Sequence, residues 1–186
     1  MIERINFSNT TIKTERLILR TFKLQDLDDF YEYARVDGVG EMAGWTHHRT
    51  LEESKNTLDM FIEDKHILAI VHLEKNKVIG SFGVHRLKEV IQESGVEIGY
   101  VISKDYWGQG FAVEATKAVL TYLFKEVRIP LIGVSHFKYN FQSERVIKKC
   151  GFIYHDEVNL NSNTGRSLKG RLYLMTIKDA ENLGLI

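Results

Sequence analysis

The stretch of this sequence best equipped for chemistry is Trp107-Gly108-Gln109-Gly110-Phe111-Ala112. An apolar, β-branched run ends just before it near Ile102, a polar turn of Ser103-Lys104-Asp105 follows, and a helical pattern opens directly after it. Gly108 and Gly110, with the small Ala112, allow a ligand to approach the backbone closely. The helix start adds unpaired N–H groups and the positive end of a dipole, so the junction suits a pyrophosphate. It is not a Walker A loop, since no Gly-Lys-Ser/Thr follows, nor a dinucleotide fingerprint of the G-x-G-x-x-G form. A tight strand-to-helix turn also uses glycine, so these residues alone leave both readings open.

The elements around this junction form a regular series. Arg16 to Thr21 alternates as a strand; Asp26 to Ala34 puts Leu27, Phe30, Tyr31 and Ala34 on one helical face. Gly38, Gly40 and Gly44 mark a flexible loop, and Thr50 with Glu53 reads as a capping box opening a helix whose stripe is Leu51, Leu58, Phe61 and Ile62. Strands are expected at Ile67 to Leu73, Val78 to Leu87 and Val96 to Ile102, with a hairpin turn at Lys75-Asn76-Lys77 and a polar loop from Lys88 to Ser94. A helix from about Gly110 to Phe124, a strand at Leu131 to His136, a helix capped by Asn140 and closed at Gly151, and strands at Phe152 to Val158 and Gly170 to Thr176 complete the chain. The strand–helix–strand step from Val96 to His136 implies one parallel pair with a right-handed crossover in an otherwise hairpin-built sheet.

The chain has 186 residues, with no repeat, low-complexity tract or linker, and is read as one domain over residues 1–186 in which 1–13 form an N-terminal extension. Twenty-five basic and 25 acidic side chains cancel, so no bulk field recruits nucleic acid or an anionic membrane. The single Cys150 excludes an internal disulfide, and no apolar run approaches the roughly 18 residues of a membrane span, which makes a soluble cytoplasmic protein the expectation.

Tyr106-Trp107-Gly108-Gln109-Gly110-Phe111-Ala112 resembles the acetyl-CoA-binding motif of GNAT acetyltransferases, Arg/Gln-x-x-Gly-x-Gly/Ala, with Gly110 and Ala112 in its last positions and Trp107 where Arg or Gln is usual. That departure is similar to the branch of ribosomal-protein N-terminal acetyltransferases. Thr14 to Arg20, Glu97-Ile98-Gly99-Tyr100, and Asn140 to Val146 closed by Cys150-Gly151-Phe152 resemble three further segments of that branch, in order.

The resemblance implies an α/β (α+β) GNAT-like three-layer fold, its mixed, mostly antiparallel sheet of about six to seven strands flanked by about four helices. It implies N-acetyl transfer from acetyl-CoA, as cosubstrate, to an amine-bearing acceptor: a protein N-terminus or a small amine. Tyr100, Val101 and Ile102 would pair with the pantetheine arm, the N–H of Val101 or Ile102 would polarise the thioester carbonyl, and Gly108, Gln109, Gly110, Phe111, Ala112 and Val113 would wrap the pyrophosphate. Glu97, on the face opposite Val96, Ile98 and Tyr100 and beside Gly99, is the candidate base; it also reads as an exposed or salt-bridged strand residue. The tyrosine that often serves as acid is replaced by Ile147, which leaves Ser143 as the candidate donor to the CoA sulfur, and Asn140 as a cap, a CoA contact or both. His47 and His48 sit in a loop of the kind that lines the acceptor site, and His85 could face core or cleft. Cys150 reads as packing, no His, Asp and Cys spacing suggests a metal, and the last strands could support a homodimer. Two rival readings stand beside the enzyme: a GNAT fold that binds acyl-CoA without turnover, and an α/β protein whose glycine loop holds another phosphate ligand.

Overall fold

The computed structural model describes residues 5–88 and 95–186. Eight strands among these form one sheet in the order β1-β2-β3-β4-β5-β6-β8-β7: β1 (Thr11–Lys13), β2 (Leu17–Arg20), β3 (Ile67–His72), β4 (Lys77–Arg86), β5 (Gly95–Ile102), β6 (Leu131–Phe137), β7 (Ile153–Asn161) and β8 (Ser167–Thr176). Every neighbouring pair is antiparallel except β5 and β6, which are parallel and joined through a crossover helix, α3 (Phe111–Tyr122). The other helices are α1 (Leu27–Ala34), α2 (Leu51–Glu63), α4 (Phe141–Cys150) and α5 (Ile177–Asn182).

Helices cover both faces of the sheet. Val96 and Ile98 of β5, with Phe82 and Val84 of β4, pack against Ala115, Val119 and Leu120 of α3 and Ile147 of α4. On the other face Ala69 and Val71 of β3 meet Phe30 and Tyr33 of α1 and Leu58 of α2. A strand buried on both faces must be apolar at successive positions, and Ile67 to Val71 are all buried. Burying a side chain such as Leu58 contributes roughly 1.5–3 kcal/mol.

The three-layer GNAT-like expectation holds, with one strand and one helix more than the upper counts read from sequence. β1 lies in the segment taken as an extension; it pairs with β2, and Ile5 and Phe7 just before it are buried. α5, not expected from the sequence, is too short to show a helical period, although Thr176 and Asp179 form a complete capping box. The apolar stripe of α2 is narrower than expected: Leu51 and Ile62 are exposed, and Ser54 and Leu58 carry its buried face. Thr50 does accept from Glu53 N, but the Glu53 carboxylate turns to Arg49 N, so the capping box is only half formed. In α1, Tyr33 rather than Tyr31 is buried beside Phe30. The polar loop after β4 lies outside the described residues beyond Lys88.

The parallel ladder between β5 and β6 ends at Ile98 and Val134. β5 continues to Ile102 against Gly80 of β4, and β6 continues to Phe137 against Gly170 of β8. Each strand keeps its outer partner while losing its inner one, so the sheet forks. At the fork the Val101 carbonyl lies over Gly80, where a Cβ would sit 2.1 Å from the oxygen. Gly80→Ala must therefore displace backbone, and is expected to cost about 1–3 kcal/mol in urea unfolding. An unchanged midpoint would mean that β5 can relax there freely.

Candidate active site

A cleft of about 640 Å³ occupies the fork. Its walls are the ends of β5 and β6, the start of α3, the first turn of α4 and the loop before α2. Ser103 N donates to Ile79 O at 2.7 Å, which continues the β4–β5 ladder and directs the backbone groups of alternate residues, including Val101, toward β4. Tyr100 and Ile102 then turn theirs toward the fork, and there Ile102 O accepts from Trp107 Nε1 at 2.7 Å. Trp107, which stands where Arg or Gln is usual, packs against the cores of both faces at once.

The glycine junction forms as its residue types require. Gly108 and Gly110 have φ of 76° and 85°, a left-handed conformation that a side chain resists, and Gly110 caps α3. A Cβ on Gly108, or on Gly99 across the cleft, would meet nothing within 4 Å, so both glycines border open space. Gly108, Gly110, Phe111, Ala112 and Val113 line the cleft with Tyr100, Val101 and Ile102. Gln109 does not: its Nε2 donates to Asp105 O at 2.9 Å, and its carbonyl accepts from Arg16 Nη1 at 3.1 Å.

Arg16 belongs to a clamp that local sequence spacing could not reveal. Glu114, in the first turn of α3, accepts from Thr14 Oγ1 at 2.6 Å, Arg16 N at 2.9 Å and Arg16 Nε at 2.7 Å, while the guanidinium stacks 4.2 Å from the centroid of Phe111. Nearly a hundred residues separate the partners, and they meet only because β2 passes beneath the start of α3. Burial alone would raise the Glu114 pKa; the hydrogen bonds from Thr14 and Arg16 outweigh it and hold the carboxyl below its ordinary value.

Glu97, half-buried, lines the cleft directly opposite His85 of β4 and on the same side of the sheet. The His85 ring folds back over Gly83, where a Cβ would meet its Nε2 at 2.6 Å, so His85 faces the cleft rather than the core. Its pKa is lowered, chiefly by desolvation. On the other side of β5, Tyr100 OH lies 3.1 Å from Ser143 Oγ. Desolvation raises the Tyr100 pKa, against a smaller opposite pull from Ser143, so the phenol remains a proton donor. Ile147 is buried in the core and outside the cleft lining.

Asn140 both caps α4 and fastens a loop. Its Oδ1 accepts from Ser143 N at 3.0 Å and its Nδ2 donates to Met42 O at 2.9 Å. Tyr139 OH donates to Glu41 O at 3.0 Å, and Asn163 N to Gly44 O at 2.7 Å. The glycine-rich loop is thus strapped across one wall of the cleft. His47 and His48 serve that scaffold and do not line the cleft: His47 Nδ1 lies 2.9 Å from Glu41 Oε1, and His48 Nδ1 2.7 Å from Ser54 Oγ. The fold also brings ligand atoms of Asp37, Glu41 and His47 within 4.8 Å of one another, a grouping invisible in their spacing; the Glu41 carboxylate there accepts from Gly38 N, His47 N and the His47 ring. Cys150 is buried, and burial pushes its thiol up to about 11, consistent with packing.

A forked mixed sheet, with a strand edge open to an extended ligand and a glycine-rich helix start at the mouth, is the architecture of an acyltransferase that draws on a thioester of coenzyme A. Residues 16–153 match the acetyltransferase (GNAT) domain, and the chain belongs to that family of N-acetyltransferases, whose acetyl donor is acetyl-CoA. Over 146 residues it is 29% identical to YoaA, an uncharacterised N-acetyltransferase of Bacillus subtilis (strain 168), covering 76% of this chain and 81% of that protein. The ribosomal-protein-S5-alanine acetyltransferase of Vibrio fischeri shares the fold with a TM-score of 0.72 at 20% identity, over 91% of this chain and 98% of that one. The microcin C7 self-immunity acetyltransferase MccE, solved with acetyl-CoA and AMP, superposes with a TM-score of 0.74 at 16% identity, over 88% and 93%. No helix among the described residues is long and apolar enough to cross a membrane.

The clamp carries a pH signature. A carboxyl whose pKa is lowered by folding stabilises the native state above its unfolded pKa, and that contribution is lost as pH falls through the folded value. Glu114→Gln is expected to cost about 1–2 kcal/mol at pH 7, discounted because the Arg16 side chain is 40% exposed. In unfolding curves the gap to wild type should close below about pH 4.3; a gap that persists undiminished would show that the carboxylate charge is not what holds the clamp.

Proposed function

We propose that this protein moves the acetyl group of acetyl-CoA to a primary amine by direct attack in a ternary complex, and that the amine is the α-amino group of a protein or peptide N-terminus. The fork carries the proposal: the inner edge of β5 beyond Ile98 has no partner strand among the described residues and faces a cleft with the α3 start at its mouth. An extended pantetheine arm has amides that can take the place of the missing strand, and the N–H groups of the α3 start suit the pyrophosphate.

In this reading Ile102 N–H, turned toward the fork by strand alternation, polarises the thioester carbonyl and holds the oxyanion as the C–N bond forms. Glu97 takes a proton from the attacking ammonium, directly or through water, so that the neutral amine attacks. When the C–S bond breaks, its electron pair stays on sulfur, and Ser143 Oγ, backed by Tyr100 OH, hands a proton to the thiolate; the second proton, which the nitrogen sheds as the amide forms, passes through water to restore the Ser143 hydroxyl. An α-amine has a pKa of about 7.7–8.0 and a lysine side chain about 10.4, so the α-amine needs less help to reach the neutral form. The fold similarity to a ribosomal-protein alanine acetyltransferase favours the same acceptor class. The cytoplasm is the proposed location, since a single buried thiol suits a reducing compartment.

One observation favours a second reading, in which the protein binds acyl-CoA without turnover: the apolar Ile147 stands buried at the position where the resemblance places a catalytic tyrosine. One measurement tests both readings and two more separate them. Acetyl-CoA at about 100 times its Kd should stabilise the fold by about 2.7 kcal/mol in thermal unfolding. Thiol release should then appear with peptides bearing free N-termini. Glu97→Gln should lower kcat by about 10²-fold or more between roughly pH 6 and 9, a range bracketing the amine pKa, with acetyl-CoA affinity unchanged. Binding without thiol release from any peptide or small amine would favour the non-catalytic reading, and the absence of stabilisation would end both.

A further inference from the structure

Beyond the fork β6 carries His136, only 3% exposed. Its Nδ1 lies 2.9 Å from Phe137 O. A carbonyl only accepts, so Nδ1 carries the hydrogen and Nε2 is left with the lone pair. That Nε2 is buried and has no hydrogen-bond partner among the described residues. Buried polar atoms are nearly always paired, because an acceptor removed from water with nothing in return is costly. His136 lines the cleft together with Asn140 and Ser143 of α4, and strand alternation puts it on the same face as Ile132 and Val134, which pack toward α3 and α4.

We infer that His136 Nε2 accepts a hydrogen bond from an amide N–H of the pantetheine arm, making His136 a positioning residue for acetyl-CoA on the wall opposite β5. This rests on the proposed use of the fork. The thioester offers only acceptors; the hydrogen-bond donors on the arm are its amides and a hydroxyl. An extended arm turns successive amides to opposite sides, as a strand does. Those turned toward β5 meet backbone, and one turned toward β6 meets His136. The ring is suited to accept: burial lowers its pKa most strongly, against upward pulls from the Phe137 carbonyl and Glu144, with Arg171 and Lys148 adding to the lowering. Among the described residues, the other titratable group against it besides Glu144 and Lys148 of α4 and Arg171 of β8 is Tyr173 of β8, whose ring centroid lies 5.6 Å away. At neutral pH the imidazole is therefore uncharged and Nε2 keeps its lone pair.

Calorimetry on the full chain tests this with two probes, acetyl-CoA and 3′-phospho-ADP, which keeps the nucleotide and pyrophosphate but lacks the arm. His136→Leu should weaken acetyl-CoA by about tenfold, the size of one lost hydrogen bond, and leave 3′-phospho-ADP unchanged. His136→Gln, whose amide oxygen can accept, should recover most of the affinity. In the unaltered protein, the imidazole ¹⁵N signal of Nε2 should move on adding acetyl-CoA and stay still with 3′-phospho-ADP, a readout that needs no variant to fold. Equal acetyl-CoA affinity for wild type and His136→Leu, an equal loss for both probes, or a silent Nε2 signal on acetyl-CoA binding overturns the inference and leaves the acetyl-CoA reading standing. A wild-type chain that fails to bind acetyl-CoA removes both.

Discussion

Two neighbouring strands that part company create a debt of backbone hydrogen bonds, and the site is organised around that debt. β5 and β6 pair only as far as Ile98 and Val134, yet each runs on for several residues against its outer neighbour. Backbone N–H and C=O groups buried without partners are costly, so an edge of this kind must meet solvent, a side chain or a ligand. At Ile102 a side chain answers part of the need, since the Trp107 indole donates to its carbonyl. The rest of the edge faces a cleft of a size suited to a small ligand. An extended amide-bearing chain is the natural complement, which is why the fold and the use of acetyl-CoA belong together.

The fork has to be held open, and the devices that do so come from distant parts of the chain. Trp107 wedges between the cores on both faces of the sheet. The Thr14–Arg16–Glu114 clamp fixes the start of α3 to the strand beneath it, so the glycine loop between them is presented in one position although glycine is the least restrained of residues. On the opposite wall Asn140 ties the first turn of α4 to the Met42 carbonyl. The first turn of α4, which carries Ser143, and the glycine-rich loop are thus joined through one amide side chain. A change of acceptor that moves this loop would be felt at Ser143, and the reverse holds by the same linkage.

In the proposed reaction the two faces of β5 would divide the chemistry. Glu97 and His85 stand on one side, with the His85 ring over Gly83 and open space at Gly99, while Tyr100 and Ser143 stand on the other, packed against α4. A strand separates them simply because successive side chains point to opposite faces. Proton removal from an amine and proton delivery to a thiolate call for groups of different character. The desolvation that keeps Tyr100 protonated acts on the helix-covered face, away from the carboxylate.

The sequence by itself determined the local features. The alternation of Val96 to Ile102 set the face of Glu97, Asn140 and Gly151 bounded α4, and Gly108 with Gly110 marked the helix start, because period, caps and glycines act within a few residues. Nothing local distinguished Leu51 and Ile62, which look like core yet lie exposed, or hinted at β1, which is too short to show a period and is a strand only because β2 lies beside it. Whether His85 faced core or cleft, whether Gln109 lined the cleft or turned to Asp105 and Arg16, and which groups surrounded His136 were decided by tertiary structure. Those outcomes depend on strand register and on contacts between residues as far apart as Arg16 and Glu114, and such pairings are fixed only when the whole sheet has formed.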